Sequence, residues 1–177
     1  MIIDTHTHTF PDRIAARALA GMEKSIVDKH DWNVKIKVAG TRDALSESTK
    51  KNGVDISVVV PVATKPEQSA SINEFAAQTN EKTKETGVFS LGAIHPDNED
   101  YKDILDDIKK KGLKGIKVHP DYQKVEFDDP RYLRIFKYAD ELGLVIVTHA
   151  GEDIGLPEKI HCTPDMVLNV LNKVNPK

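Results

Sequence analysis

The chain has 177 residues, 39% hydrophobic and 30% charged, with a formal net charge of -3. That length and balance suit one soluble globular domain with a real core, and the slightly acidic charge gives no electrostatic case for nucleic acid or a membrane as the main partner. A single cysteine, Cys162, excludes an intrachain disulfide, and neither a signal peptide nor an apolar run of membrane-spanning length is present, so the expected location is the cytoplasm.

The first element is a strand from Ile2 to His8, a short apolar run that ends in His6-Thr7-His8. Residues i and i+2 of a strand share a face. The two imidazoles therefore converge on one point, either as half of a metal site or as a chance pair on an exposed strand. The connection that follows, residues 9–52, is longer than one helix requires. It holds a candidate helix from Asp12 to His30, an alternating run of Val34, Ile36 and Val38 against Lys35 and Lys37, and Thr41 as the N-cap of a helix reaching Asn52 before Gly53. Placed after the first strand, this insertion is a candidate lid or specificity element, or plain surface elaboration.

Four further strands are predicted at Ile56 to Pro61, Val88 to His95, Leu113 to His119 and Leu144 to His149. Each is mostly apolar on both faces, as parallel strands covered by helices are. Helical periods alternate with them. One segment runs from about Pro66 to Thr86 before Gly87, and another carries Tyr101, Ile104, Leu105 and Ile108 on one stripe before Gly112. A third starts near Asp128 with Pro130 in its first turn, presents Leu133, Phe136 and Ala139, and ends at Gly143. The last, Pro164 to Val174, presents Val167, Val170, Leu171 and Val174. This alternation predicts an α/β fold built from βαβ units.

Seven histidines are present, and five of them (His6, His8, His95, His119 and His149) end predicted strands. Parallel strands place those ends on one rim, where α/β barrels keep their active sites. His30 and His161 fall outside the pattern and are expected to be solvated or locally hydrogen-bonded. Neutral imidazole is the commonest transition-metal ligand, and a catalytic zinc typically takes three protein ligands and leaves one position to water. No P-loop, nucleophile elbow or dinucleotide-binding glycine motif competes with metal chemistry.

The runs Ile3-Asp4-Thr5-His6-Thr7-His8, Gly53-Val54-Asp55, Gly115-Ile116-Lys117-Val118-His119-Pro120 and Thr148-His149-Ala150-Gly151 occur in order over nearly the whole chain. In this the chain resembles the amidohydrolase superfamily, most closely its amidohydrolase-2 branch of metal-dependent hydrolases and aminocarboxymuconate-semialdehyde decarboxylase-like enzymes. The resemblance implies a distorted TIM barrel in which His6, His8 and His149 bind a divalent metal, zinc by expectation with manganese as the alternative. The implied activity is C–N or C–O hydrolysis, or decarboxylation, of a small carboxylate-containing molecule. Lys117 is then a carboxylated lysine bridging two metals, a cationic anchor for a substrate carboxylate, or an interior lysine paired with Asp4. The same strand parity turns His119 to the lumen as a substrate-binding or proton-donating group, and His95, before Pro96, is a further substrate-binding candidate.

A complete (β/α)8 barrel has eight strands and typically about 250 residues. The expected fold here is a partial (β/α)8 TIM barrel of about five parallel strands, one domain over residues 1–177, incomplete at its C-terminus, where Asn175-Pro176-Lys177 is expected to lead toward a sixth strand. The strand-6 histidine and strand-8 aspartate implied by the resemblance have no counterpart here by motif. The open edges of the first and fifth strands call for the rest of a longer chain or a second copy in a homo-oligomer, unless the short form is natural. Two other readings stand beside the enzyme. One is a catalytically incompetent remnant that retains only the fold or metal binding. The other is a phosphoesterase of the polymerase-and-histidinol-phosphatase type or a TatD-type nuclease, both of which open with His-x-His; the net charge and the later motifs fit these less well.

Overall fold

Each apolar run becomes a short parallel strand, and the strands pair in sequence order. The computed structural model describes residues 1–174; the Asn175-Pro176-Lys177 segment lies outside them. β1 (Ile3–Thr7), β2 (Ile56–Val59) and β3 (Val88–Ser90) form one three-stranded sheet, and β4 (Gly92–Ala93), β5 (Gly115–Val118) and β6 (Val145–Thr148) form another. All pairings are parallel.

The run from Val88 to His95, expected as one strand, is divided. Its first half pairs with β2 and its second half with β5, so the chain passes from one ladder to the next at Leu91. Two asparagines of α3 (Ser69–Asn80) account for the interruption. The Asn80 amide binds both the C=O and the N–H of Ser90 at 2.9 and 2.6 Å, and Asn73 does the same for Ala93 at 3.1 and 2.8 Å. A side-chain amide with one donor and one acceptor aimed at the same residue takes the place of a strand partner.

The insertion contains α1 (Asp12–His30) and α2 (Arg42–Lys51), the latter capped as predicted by Thr41 Oγ1, which accepts from the Ala44 N–H at 3.2 Å. The alternating Val34 to Val38 run is not a strand. It joins no ladder among the described residues, and the Ile36 N–H instead donates to Glu23 Oε2 of α1 at 3.1 Å. The segment expected as one helix from Pro66 to Thr86 is a 3-10 turn, then α3, then the single turn α4 (Thr83–Thr86), with Gly87 at φ 70° closing it.

The core lies between the second sheet and three helices, α5 (Tyr101–Lys110), α7 (Pro130–Glu141) and α8 (Pro164–Val174). Leu105 and Ile108 of α5, together with Tyr132, Ile135, Phe136 and Ala139 of α7, close over Ile94, Ile116 and Val118. Asp129 begins α7 by accepting the Arg131 N–H at 2.8 Å, ahead of Pro130. In α8 only Val170 is fully buried; Val167 and Val174 pack at the margin and Leu171 is exposed, contrary to the periodic expectation. The helix has core on one narrow side only, because β6 is the edge strand of its sheet among the described residues.

Candidate active site

Three strand ends deliver the predicted residues to one rim. β1 carries His6 and leads to His8; β5 carries Lys117 and leads to His119; β6 leads to His149. The Nε2 atoms of His6 and His8 face one another at 3.2 Å. Two ligands at about 2.0–2.1 Å from a tetrahedral zinc lie about 3.3 Å apart, so the pair has the spacing of nitrogens that share one ion. This pair fits one divalent ion, while His149, the predicted third ligand, does not lie with it in a set of three ligand atoms within 4.8 Å of one another.

The histidines and Lys117 lie near enough to act on one another's charge. Desolvation, then the Lys117 and His149 charges, lower the His6 pKa. His8 falls to about 4 through desolvation of its ring, with His6 and Lys117 adding, although the residue as a whole is exposed. Desolvation also takes His119 to about 3, helped by His149 and Lys117. All three imidazoles are held neutral, the form that binds metals. Lys117 is fully buried, and burial lowers its amine to about 8. Its Nζ has no hydrogen-bond partner among the described residues, so the pairing with Asp4 left open by the sequence is not formed.

The structure adds residues that no motif pointed to. Asp153, on the loop after β6, places Oδ2 at 3.3 Å from His119 Nε2. Asp121, on the short helix α6 (Pro120–Gln123), is buried and binds His161 through Oδ1. His161 is thus held by a residue 40 positions away rather than locally. The two aspartates lack a legible sequence signal because their relation to the histidines exists only once β5 and β6 lie side by side.

His119, His149 and Asp153 are the one set of three ligand atoms within 4.8 Å of one another found among the described residues. Within it, His119 and Asp153 form an imidazole–carboxylate pair. The Tyr122 N–H points at His119 Nδ1 at 3.4 Å, which places the ring proton on Nε2, toward Asp153. The His119 and His149 rings are also stacked at 5° with centroids 4.2 Å apart. An ion lies in the plane of each imidazole that binds it, and two parallel planes share no point.

His95 belongs to a separate loop network. Its N–H donates to Asn98 Oδ1 at 3.1 Å and its Nδ1 accepts from the Asp97 N–H at 3.2 Å, while burial lowers its pKa. The insertion reaches the far side of the rim. Ser25 Oγ donates to the Gly155 carbonyl at 3.0 Å, His30 Nε2 binds the Ile154 carbonyl at 2.7 Å, and Lys29 pairs with Glu158. His30 is therefore a long-range tie, not a solvated group.

Strand order and a histidine-rich rim define a partial parallel α/β barrel. The amidohydrolase (amidohydrolase-2) family model matches residues 3–171, and the chain belongs to that family, whose members are metal-dependent decarboxylases and hydrolases. Among solved structures it is similar to 5-carboxyvanillate decarboxylase from Sphingomonas paucimobilis, with 16% identity and a TM-score of 0.61, covering 89% of this chain and 57% of that one. The 5-carboxyvanillate decarboxylase of Novosphingobium aromaticivorans, complexed with manganese and 4-hydroxy-3-methoxy-5-nitrobenzoic acid, gives 14% and 0.62, covering 99% and 54%. A probable 2-pyrone-4,6-dicarboxylic acid hydrolase from Acinetobacter baumannii with citric acid bound gives 12% and 0.55, covering 98% and 54%. The chain spans about half the length of these proteins. No curated protein sequence matches it. No helix among the described residues is long and apolar enough to cross a membrane.

Proposed function

We propose that this chain forms the metal- and carboxylate-binding part of a metal-dependent decarboxylase or hydrolase acting on a small carboxylate. The observation that carries this reading is Lys117: a buried amine, without a hydrogen-bond partner among the described residues, set amid neutral histidines at the rim. With a pKa of about 8 it is mostly ammonium at neutral pH, and a substrate carboxylate is the natural counter-charge.

His6 and His8 would hold the ion, with His149 drawn in as the third ligand, zinc or manganese being expected. When bound, such an ion polarises a substrate oxygen or brings a water to a pKa of about 7. Lys117 binds and orients the carboxylate, and His119 with Asp153 holds a proton at Nε2 for transfer. Decarboxylation fits the anchored carboxylate; hydrolysis is the second reading, supported by Asp153 as a carboxylate at the rim that can take a proton from water. Residues 9–52 serve as the lid, tied down by Ser25, Lys29 and His30. The edges of β1 and β6 are covered by further chain or by a second copy, and the expected location is the cytoplasm.

The test is calorimetric titration of the manganese- or zinc-loaded chain with an aromatic carboxylate, a lactone and a phosphate ester, alongside turnover assays. Carboxylate binding that disappears in Lys117→Met while metal binding persists is the expected result. Preference for the phosphate ester would overturn the reading in favour of a phosphoesterase.

A further inference from the structure

Asp121 and His161 are buried or half-buried groups at the rim that the reading above leaves without a task. Asp121 is 2% exposed. Its Oδ1 accepts the His161 backbone N–H at 3.1 Å and lies 3.0 Å from His161 Nδ1, so one oxygen is held twice and the plane of the carboxylate is set. That leaves Oδ2 aimed in a fixed direction. It is buried, and has no hydrogen-bond partner among the described residues.

Opposite it, 3.9 Å away, is His149 Nε2, also buried and also without a partner among the described residues. A buried carboxylate oxygen and a buried ring nitrogen, each unsatisfied, are costly apart and complementary together. Closing the gap needs a turn about the terminal torsion of His149, a broad rotor, which shifts its stacking on His119 but costs that nitrogen no hydrogen bond among the described residues. A neutral imidazole carries one ring proton. If it sits on Nε2 and points at Asp121, Nδ1 presents a lone pair. Metal-binding histidines commonly donate their other N–H to a carboxylate in this way, which fixes both tautomer and ring orientation.

We propose that Asp121, pinned by His161, is the positioning residue of His149: it accepts the Nε2–H and leaves Nδ1 as the metal-binding nitrogen. The proposal rests on the reading of His149 as a metal ligand. It adds a carboxylate, a tautomer and a specific nitrogen that the motif Thr148-His149-Ala150-Gly151 does not contain.

The test joins two measurements on the full chain. Long-range proton–nitrogen NMR reads the His149 tautomer in metal-free protein, assigned by the signal that His149→Gln removes, and electron paramagnetic resonance reads Mn(II) affinity. In wild type, His149 is expected as the Nε2–H tautomer. In Asp121→Asn the His161 N–H keeps the amide oxygen on its own side, so an NH2 faces His149 Nε2, the proton moves to Nδ1, and Mn(II) affinity drops about 10–100-fold. His161→Gln, which loosens the pin without removing the carboxylate, is expected to give a smaller drop and mixed tautomers. A wild-type Nδ1–H tautomer overturns the proposal even if no variant folds, as does an Asp121→Asn protein with unchanged tautomer, whatever its affinity. If wild type binds no Mn(II), the metal reading fails, and the tautomer alone still decides whether Asp121 orients His149.

Discussion

The two sheets carry their chemistry in opposite surroundings. Every residue of β5 is buried, and Lys117 within it is 0% exposed, whereas four of the five residues of β1 are exposed, His6 among them. Both strands end at the same rim with the same residue types. The difference is in their place in the sheet: β5 is paired on both sides, by β4 and β6, and α5, α7 and α8 cover its Ile116 and Val118 face, while β1 is an edge strand among the described residues. A strand flanked on both sides can bury a lysine without a hydrogen-bond partner among the described residues. One that is not covered can only present its ligands.

The sharpest way to break this contrast is at Gly115. A Cβ there would lie 2.3 Å from the Val145 carbonyl oxygen and 3.0 Å from the Val145 Cβ, backbone against backbone in the β5–β6 ladder. Gly115→Ala is expected to cost more than about 4 kcal/mol and to unfold the second sheet, seen as loss of the cooperative thermal transition. A variant melting near wild type would mean that the ladder yields easily and that the second sheet is not the rigid half.

Next in size is Lys117→Met. The folded chain releases the Lys117 proton near pH 8, but the unfolded chain keeps it to about 10.5. The unfolded state thus binds more protons between these values, and stability rises with pH across that window by about 3 kcal/mol from this group. Below pH 8 the penalty of the buried ammonium is constant. Lys117→Met removes it, so urea denaturation should show a gain of about 3 kcal/mol at pH 7 that disappears by about pH 10.5. A destabilised methionine variant would show that the amine has a partner in solution.

The smallest effect is expected in the first sheet. Ile116, in β5, is 0% exposed, and its truncation to alanine costs about 2–5 kcal/mol in a typical core. Ile3, in β1, is 44% exposed, and Ile3→Ala should cost less than about 1 kcal/mol. Equal losses in chemical denaturation would show that a second copy covers the β1 edge in solution.

Periodicity and end signals made the helices legible: Thr41, Pro130 and Gly143 mark boundaries through local backbone chemistry that tertiary contacts did not override. The histidines at strand ends were legible for the same reason, since parallel strands share a direction. Leu171 was misplaced because a period shows which residues share a face, not how much core lies beneath it. The Val34 to Val38 run has strand alternation but joins no ladder among the described residues, and the Val88–His95 strand is interrupted by amides 10 and 20 residues away in sequence.

By itself, the sequence determined the order of elements, the rim to which His6, His8, Lys117, His119 and His149 are delivered, and the amidohydrolase motifs. Only the tertiary structure decided that Lys117 lies buried without a hydrogen-bond partner among the described residues, that Asp153 faces His119, and that Asp121, held by His161, faces His149. Local propensity and period act through neighbours along the chain, so a sequence displays them. Burial and the pairing of charges act through neighbours in space, and those are created when β5 and β6 are laid side by side and the loop after β6 folds back over them.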